Sequence, residues 1–170
     1  MSEAWPDSVD PWRMVSQGRC FEKRLPLVAM PRLAGLLASA EGGLVAAVEF
    51  GREADLVSYL RVQVEGQLPL TCQRSGLVFD FPVMIDSRLG LIRQEADEAA
   101  LPPGYEPLLV QGDSIRPTDV VEDELILALP LVPIAPGNEG EDAGVLVWSS
   151  EPASAEPPHP FAALAALRKN

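Results

Sequence analysis

The chain has 170 residues, 47% of them hydrophobic, and a formal net charge of −12, which suits one domain with a real core and argues against two large ones. The charge is uneven: residues 1–94 hold 10 basic and 11 acidic side chains, whereas residues 95–170 hold 3 and 14. Duplex DNA and RNA are bound chiefly by neutralising phosphates with Lys and Arg, so this balance disfavours strong nucleic-acid binding by the protein alone and suits a basic protein partner.

The first twenty residues contain Glu3, Asp7, Asp10 and two prolines before any apolar run, unlike a secretory signal. Residues 1–17, with Trp5 and Trp12 among polar residues, read as a flexible N-terminal arm. Residues 18–134 are expected to form a single α+β domain. It opens with a strand over 21–28 and a helix starting at Pro31, in which Leu33, Leu36, Leu37 and Ala40 recur at helical spacing before Gly42-Gly43 stops it. The clearest strand follows: Leu56, Leu60, Val62, Val64, Leu68, Leu70 and Cys72 share one parity, and Arg61, Gln63, Glu65, Gln67 and Thr71 the other. A bend is expected at Gly66. The turn Gln73-Arg74-Ser75-Gly76 returns the chain over residues 77–86, with Phe79, Phe81, Val83 and Ile85 on one face, which makes an antiparallel hairpin. Residues 44–50 should pair with the first long strand. Shorter strands are expected over 89–93 and 106–110, with an exposed connector over 95–104.

From Asp119 to Ile134 the sequence is D-V-V-E-D-E-L-I-L-A-L-P-L-V-P-I. An acidic triplet runs into an apolar block that prolines cut off. The expectation is a helix carrying Glu122, Asp123 and Glu124 near its positive N-terminal end, with the residues from Leu125 to Ile134 buried as core and Pro130 ending the helix. Residues 135–159 are rich in Pro, Gly, Ala and Glu and read as a mobile acidic segment with one apolar island over 145–148. Residues 160–170 read as a short C-terminal helix with Phe161, Leu164 and Leu167 on one stripe, too short to be stable without a surface to bind. The sheet is expected to be antiparallel, strongly bent and open to closure as a barrel, with two helices packed on it.

Several chemistries lack their anchors. The chain has no phosphate-binding glycine loop, no dinucleotide fingerprint and no nucleophile elbow. Its one histidine, His159, lies in the proline-rich tail, a poor place for a general base. Cysteines number two, Cys20 and Cys72, too few for a disulfide framework although one bridge is arithmetically open, and a reducing cytoplasm is the simpler setting. No apolar stretch approaches the roughly 18 residues of a membrane span. The turn Cys72-Gln73-Arg74-Ser75 has the shape of a zinc knuckle with serine in its last place, and no second pair to complete four ligands. No metal, no cofactor and no catalytic residue are therefore expected, and parity places Cys72 on the apolar face as packing.

Four segments taken together resemble a known family. They are Leu70-Thr71-Cys72-Gln73-Arg74 at the hairpin, Pro103-x-Tyr105-Glu106-Pro107, the block from Val121 to Pro133, and Pro160-Phe161-Ala162-x-Leu164-x-x-Leu167. In order and approximate spacing they resemble the bacterial YceD family, the large ribosomal RNA subunit accumulation proteins. The acidic-to-apolar block is the most specific of the four. The resemblance implies a cytoplasmic, non-enzymatic factor for synthesis or accumulation of large-subunit ribosomal RNA. Many members carry cysteine where this chain has Ser75, and the stretch after Pro133 here holds no ligand, which sets any zinc-dependent role aside. The resemblance draws interest to Cys72, Gln73, Arg74, Glu122, Asp123 and Glu124.

The expected partner is a basic ribosomal or ribosome-assembly protein, met by the acidic end of the 119–134 block. Arg74, with Arg88 and Arg93, offers a direct ribosomal RNA contact that is weak alone; no DNA and no membrane contact is expected, and the oligomeric state stays open. Two alternatives remain: a small-ligand or enzymatic domain with a Glu/Arg-lined pocket in the sheet, and an interaction module unrelated to ribosomes.

Overall fold

The computed structural model describes residues 4–53 and 57–137. The expectations for the 138–159 segment, and for Phe161, Leu164 and Leu167, lie outside the described residues.

The fold is α+β. Five strands run in the order β1(Cys20–Pro26), β2(Gly43–Arg52), β3(Ser58–Thr71), β4(Val78–Ile92) and β5(Glu106–Leu109), each beside its sequence neighbour. The first four are antiparallel. The alternation of β3 decides its orientation: Leu60, Val62, Val64, Leu68 and Leu70 are buried, while Gln63, Glu65 and Gln67 face solvent. Opposite them, Phe21 and Leu25 of β1, Leu44, Val48 and Phe50 of β2, and Val83, Leu89 and Leu91 of β4 complete one apolar face.

Three expectations about the sheet need correction. It is mixed rather than wholly antiparallel, because β5 runs parallel to β4. Two parallel strands need a long connection between them, and residues 93–105, with a 3₁₀ turn at Glu95–Ala100, supply it. The expected strand over 89–93 is the end of β4 itself, which continues past residue 86 to Ile92. No barrel forms, since among the described residues β1 and β5 stand at opposite edges of an open sheet. Gly66 has a further use that the alternation alone does not show. The β3–β4 register passes through it without a bulge, from Tyr59↔Gly90 to Thr71↔Val78, and a Cβ there would collide with the Leu44 side chain. Glycine at this position makes room for a neighbour.

Helices cover the apolar face. The loose-arm reading of residues 1–17 fails at residues 11–17, which form α1(Pro11–Gln17). Asp10 caps it by accepting from the Trp12 and Arg13 amides at 2.9 and 3.1 Å, Pro11 occupies its first position, and Gly18 ends it at φ +58°. Val15 is buried, Trp12 packs against the core beneath Arg93, and Trp5 Nε1 donates to Thr118 Oγ1 at 3.0 Å. The helix expected from Pro31 is shorter than its leucine spacing promised. α2 covers only Pro31–Ala34, after which the Ala38 amide turns away to Pro69 O, leaving Leu33 buried and Leu36 exposed. α3(Pro117–Ala128) lies against α2, β3 and β4, with Val121 and Leu125 fully buried.

Candidate interaction surface

The acidic triplet lies one turn and more inside α3, not at its N-terminal end. The helix starts at Pro117, so the carboxylate in its first turn is Asp119. This moves each acid to a different environment. Glu122 is 2% exposed and points at α2. That helix has Met30 where a capping oxygen belongs and Pro31 in its first turn, so the next two amides need an outside acceptor. Glu122 Oε1 takes both, from Arg32 N at 2.7 Å and Leu33 N at 3.0 Å, while its Oε2 receives Arg32 Nε and Nη2, each at 2.9 Å. The carboxylate thus caps a helix it does not belong to. Asp123 is exposed and pairs with Arg32 Nη1 at 2.5 Å. Glu124 is largely buried. The expected acidic contact surface therefore shrinks to Asp123, helped by Asp119, which pairs with Arg116 at 3.3 Å.

The apolar half of the block is corrected in the opposite sense. Only Leu125 is fully buried; Leu127, Leu131, Val132 and Ile134 are exposed, Leu131 at 99%. The reason is local. Pro130 has no amide to donate and forces Leu129 out of helical geometry, to φ −68° and ψ 136°. With prolines again at 133 and 136, the chain runs on without helix or strand, bending at Leu131 and Val132, to reach the hairpin tip.

That tip is the Cys72-Gln73-Arg74-Ser75-Gly76 turn. It is closed by Cys72 N to Leu77 O and Gly76 N to Cys72 O, each 2.8 Å, with Gly76 at φ +72°. Cys72 is fully buried, while Gln73, Arg74 and Ser75 are exposed. This segment is pinned to it twice: Gln73 N donates to Pro133 O at 2.9 Å, and Ala135 N donates to Cys72 Sγ at 3.4 Å. The Ala135 amide, followed by the Ser75 hydroxyl and the turn amides, pulls the Cys72 thiol down to about 6 from its usual 9.0. Among the described residues, no three His, Cys, Asp or Glu side chains gather into a group able to hold a metal ion. The other thiol, Cys20, is exposed, and desolvation followed by Glu49 and Glu22 pushes it up.

Between the tip, the end of α3 and the proline-rich segment lies an apolar groove of about 320 Å³. Ile126, Leu129, Leu131 and Pro133 line it together with Leu36, Leu70 and Gln73. The sequence reading missed this groove because it assigned the same leucines to the core. A leucine flanked by prolines has neither a helix nor a ladder to hold it against a core, and that was the available signal.

A family model described as "Large ribosomal RNA subunit accumulation protein YceD" matches residues 60–168. The chain belongs to the YceD family. The match takes in β3, β4, the hairpin tip and α3, so every part of the groove except Leu36 lies within the shared region. It begins after β1, α2 and β2, which leaves Arg32, the partner of Glu122, outside. No solved structure matches this YceD chain. The family's description ties it to accumulation of large-subunit ribosomal RNA. No helix among the described residues is long and apolar enough to cross a membrane.

A second concavity, of about 990 Å³, opens on the solvent face of the sheet, lined among others by Arg24, Glu41, Glu65 and Asp80. Arg74 is exposed at the tip, Arg93 lies over the Trp12 ring and Arg88 pairs with Glu53 at 3.4 Å. The three arginines named for an RNA contact thus have three different surroundings.

Proposed function

We propose that this YceD protein is a non-enzymatic accessory factor for accumulation of large-subunit ribosomal RNA in the cytoplasm, acting by binding a basic ribosomal or ribosome-assembly protein. The family match carries the role. Two properties of the chain support the mode of action. Its net charge of −12 opposes unaided binding to phosphate and favours a cationic protein. Its sheet interior is lined by Val, Leu and Phe side chains packed as one apolar core, a setting that suits a folded binding body rather than a polar substrate site.

A direct ribosomal RNA contact near Arg74 is auxiliary in this reading. The ratio of large- to small-subunit ribosomal RNA after depletion of the protein tests the role: a fall is expected, and an unchanged ratio removes it. Binding of purified protein to large-subunit RNA, with and without ribosomal proteins across a salt series, tests the mode. Tight, steeply salt-dependent binding to RNA alone would overturn the protein-partner reading.

The open concavity lined by Arg24, Glu41, Glu65 and Asp80 favours a second reading, a small cationic or zwitterionic ligand on the sheet face. Retained function in a Glu65→Lys, Asp80→Lys variant would remove it.

A further inference from the structure

The groove at the hairpin tip has three properties of a docking site for another chain. It is apolar and open to solvent, since two of its lining side chains, Leu36 and Leu131, stand 56% and 99% exposed; contiguous apolar surface of this kind marks a contact region. It is held in shape beforehand by the Gln73–Pro133 and Ala135–Cys72 hydrogen bonds and by three prolines, so little ordering is left to oppose binding. It also continues into charge. On α3, Asp123 and Asp119 precede the groove wall Ile126 by three and seven residues, which puts all three on one helix face. Both carboxylates are exposed, with side chains at 56% and 44%. Counting Asp119, Glu122, Asp123 and Glu124 against Arg32 and Arg116, this end of the molecule keeps two negative charges. Surface pairs of this sort are worth little and exchange readily.

We propose that the groove receives an amphipathic α-helix of the partner protein, its apolar residues at i and i+3 or i+4 spacing inside the groove and its Lys or Arg side chains one to two turns further on, over Asp123 and Asp119. This rests on the protein-partner reading above and specifies what the partner presents. Apolar anchors fix the helix in place. The cations choose its direction and exclude acidic competitors.

The test uses the full chain with a benzoylphenylalanine photocrosslinker at position 131 and the protein fraction of purified large-subunit precursor particles. The crosslinked peptide should be a helix with an apolar stripe and flanking Lys or Arg. Leu36→Asp and Leu131→Asp should each weaken binding tenfold or more with little change in melting temperature, because both groove-lining side chains already stand more than half in water. Met84→Asp, exposed at 82% on the other sheet face, should leave binding as it is. Crosslinks to residues 160–169 of the same chain, to a second copy, to RNA, or to a segment without cations would each overturn the proposal. If the native chain binds and the two leucine variants bind equally well, the groove is wrong and the protein-partner reading stands. If the native chain binds nothing in the fraction, both fall.

Discussion

Replacing Glu122 removes an acceptor that two backbone amides of a neighbouring helix depend on. In Glu122→Ala, Arg32 N and Leu33 N lose the oxygen at 2.7 and 3.0 Å, and no other cap serves α2, since Met30 offers none. Leaving a buried donor unsatisfied costs about 1–3 kcal/mol. The Arg32 guanidinium stays half in water, its side chain 52% exposed, so its lost pairing adds little. The sum is about 3 kcal/mol, or a fall in melting temperature of roughly 10 °C at this chain length. Glu122→Gln retains an oxygen for both amides and gives up only the charge, for about 1 kcal/mol. Arg32→Ala leaves the two amide bonds in place and should cost much less than Glu122→Ala. Urea unfolding of the three variants, followed by circular dichroism, measures the series. Equal losses in Glu122→Ala and Arg32→Ala would refute the capping argument, because they would mean that the ion pair carries the energy. Charge reversal at Glu122 is accordingly expected to destabilise the fold, and is no probe of partner binding.

Leu125→Ala should cost about 2–5 kcal/mol by the same unfolding measurement, since the side chain is fully buried against the sheet; a loss comparable to that of an exposed leucine would contradict its place in the core. Thiolate absorbance at 240 nm should rise in two steps, Cys72 near pH 6 and Cys20 only above 9. A folded value below the unfolded one means that the Cys72 contribution is complete above pH 9 and is lost as pH falls through 6, so the stability difference between native protein and Cys72→Ala should narrow over that interval. Arg61 holds Asp86 below its ordinary 3.8 through paired contacts at 2.6 and 2.7 Å. That contribution is present above about pH 4 and disappears as pH falls through the lowered value, so Arg61→Met should lose an acid-dependent part of its stability difference from native below pH 4, and a difference unchanged with pH would show the pair to be inert.

The legibility of the fold followed the range of the interactions involved. The alternation in β3 and the turn before Leu77 are set by neighbours one to four residues away, so parity alone placed Leu60 through Cys72 on the buried face. α1 was equally local: Asp10, Pro11 and Gly18 form a complete set of helix boundaries, and only the weight given to terminal position hid it. Pairing of β5 was not local. It depends on where a connection returns in space, and short segments of similar composition can pair in either direction. Glu122 shows the same limit at a single side chain. Its acidity reads as solvent-facing until the missing cap of α2, some 90 residues earlier, is known to lie opposite.

The acidic-to-apolar block owes its two halves to needs that exchange their usual places. Charge went inside at Glu122 because helix α2 begins with Met30 and Pro31 and can supply no oxygen of its own, and a carboxylate fully used by four donors tolerates burial. Leucine went outside at Leu131 because Pro130 and Pro133 fix a backbone with no helix or strand to join. The segment is nonetheless anchored through Gln73 and Cys72, so its exposed side chains have a fixed place beside the groove. Stability alone gives no reason to hold a leucine at 99% exposure on a pinned backbone, and a polar residue there would cost the fold nothing. The selective substitution to examine is therefore Leu131→Ser: an unchanged unfolding curve together with impaired accumulation of large-subunit ribosomal RNA would separate the groove's use from the fold's needs, whereas full activity would leave the exposed leucine without a function.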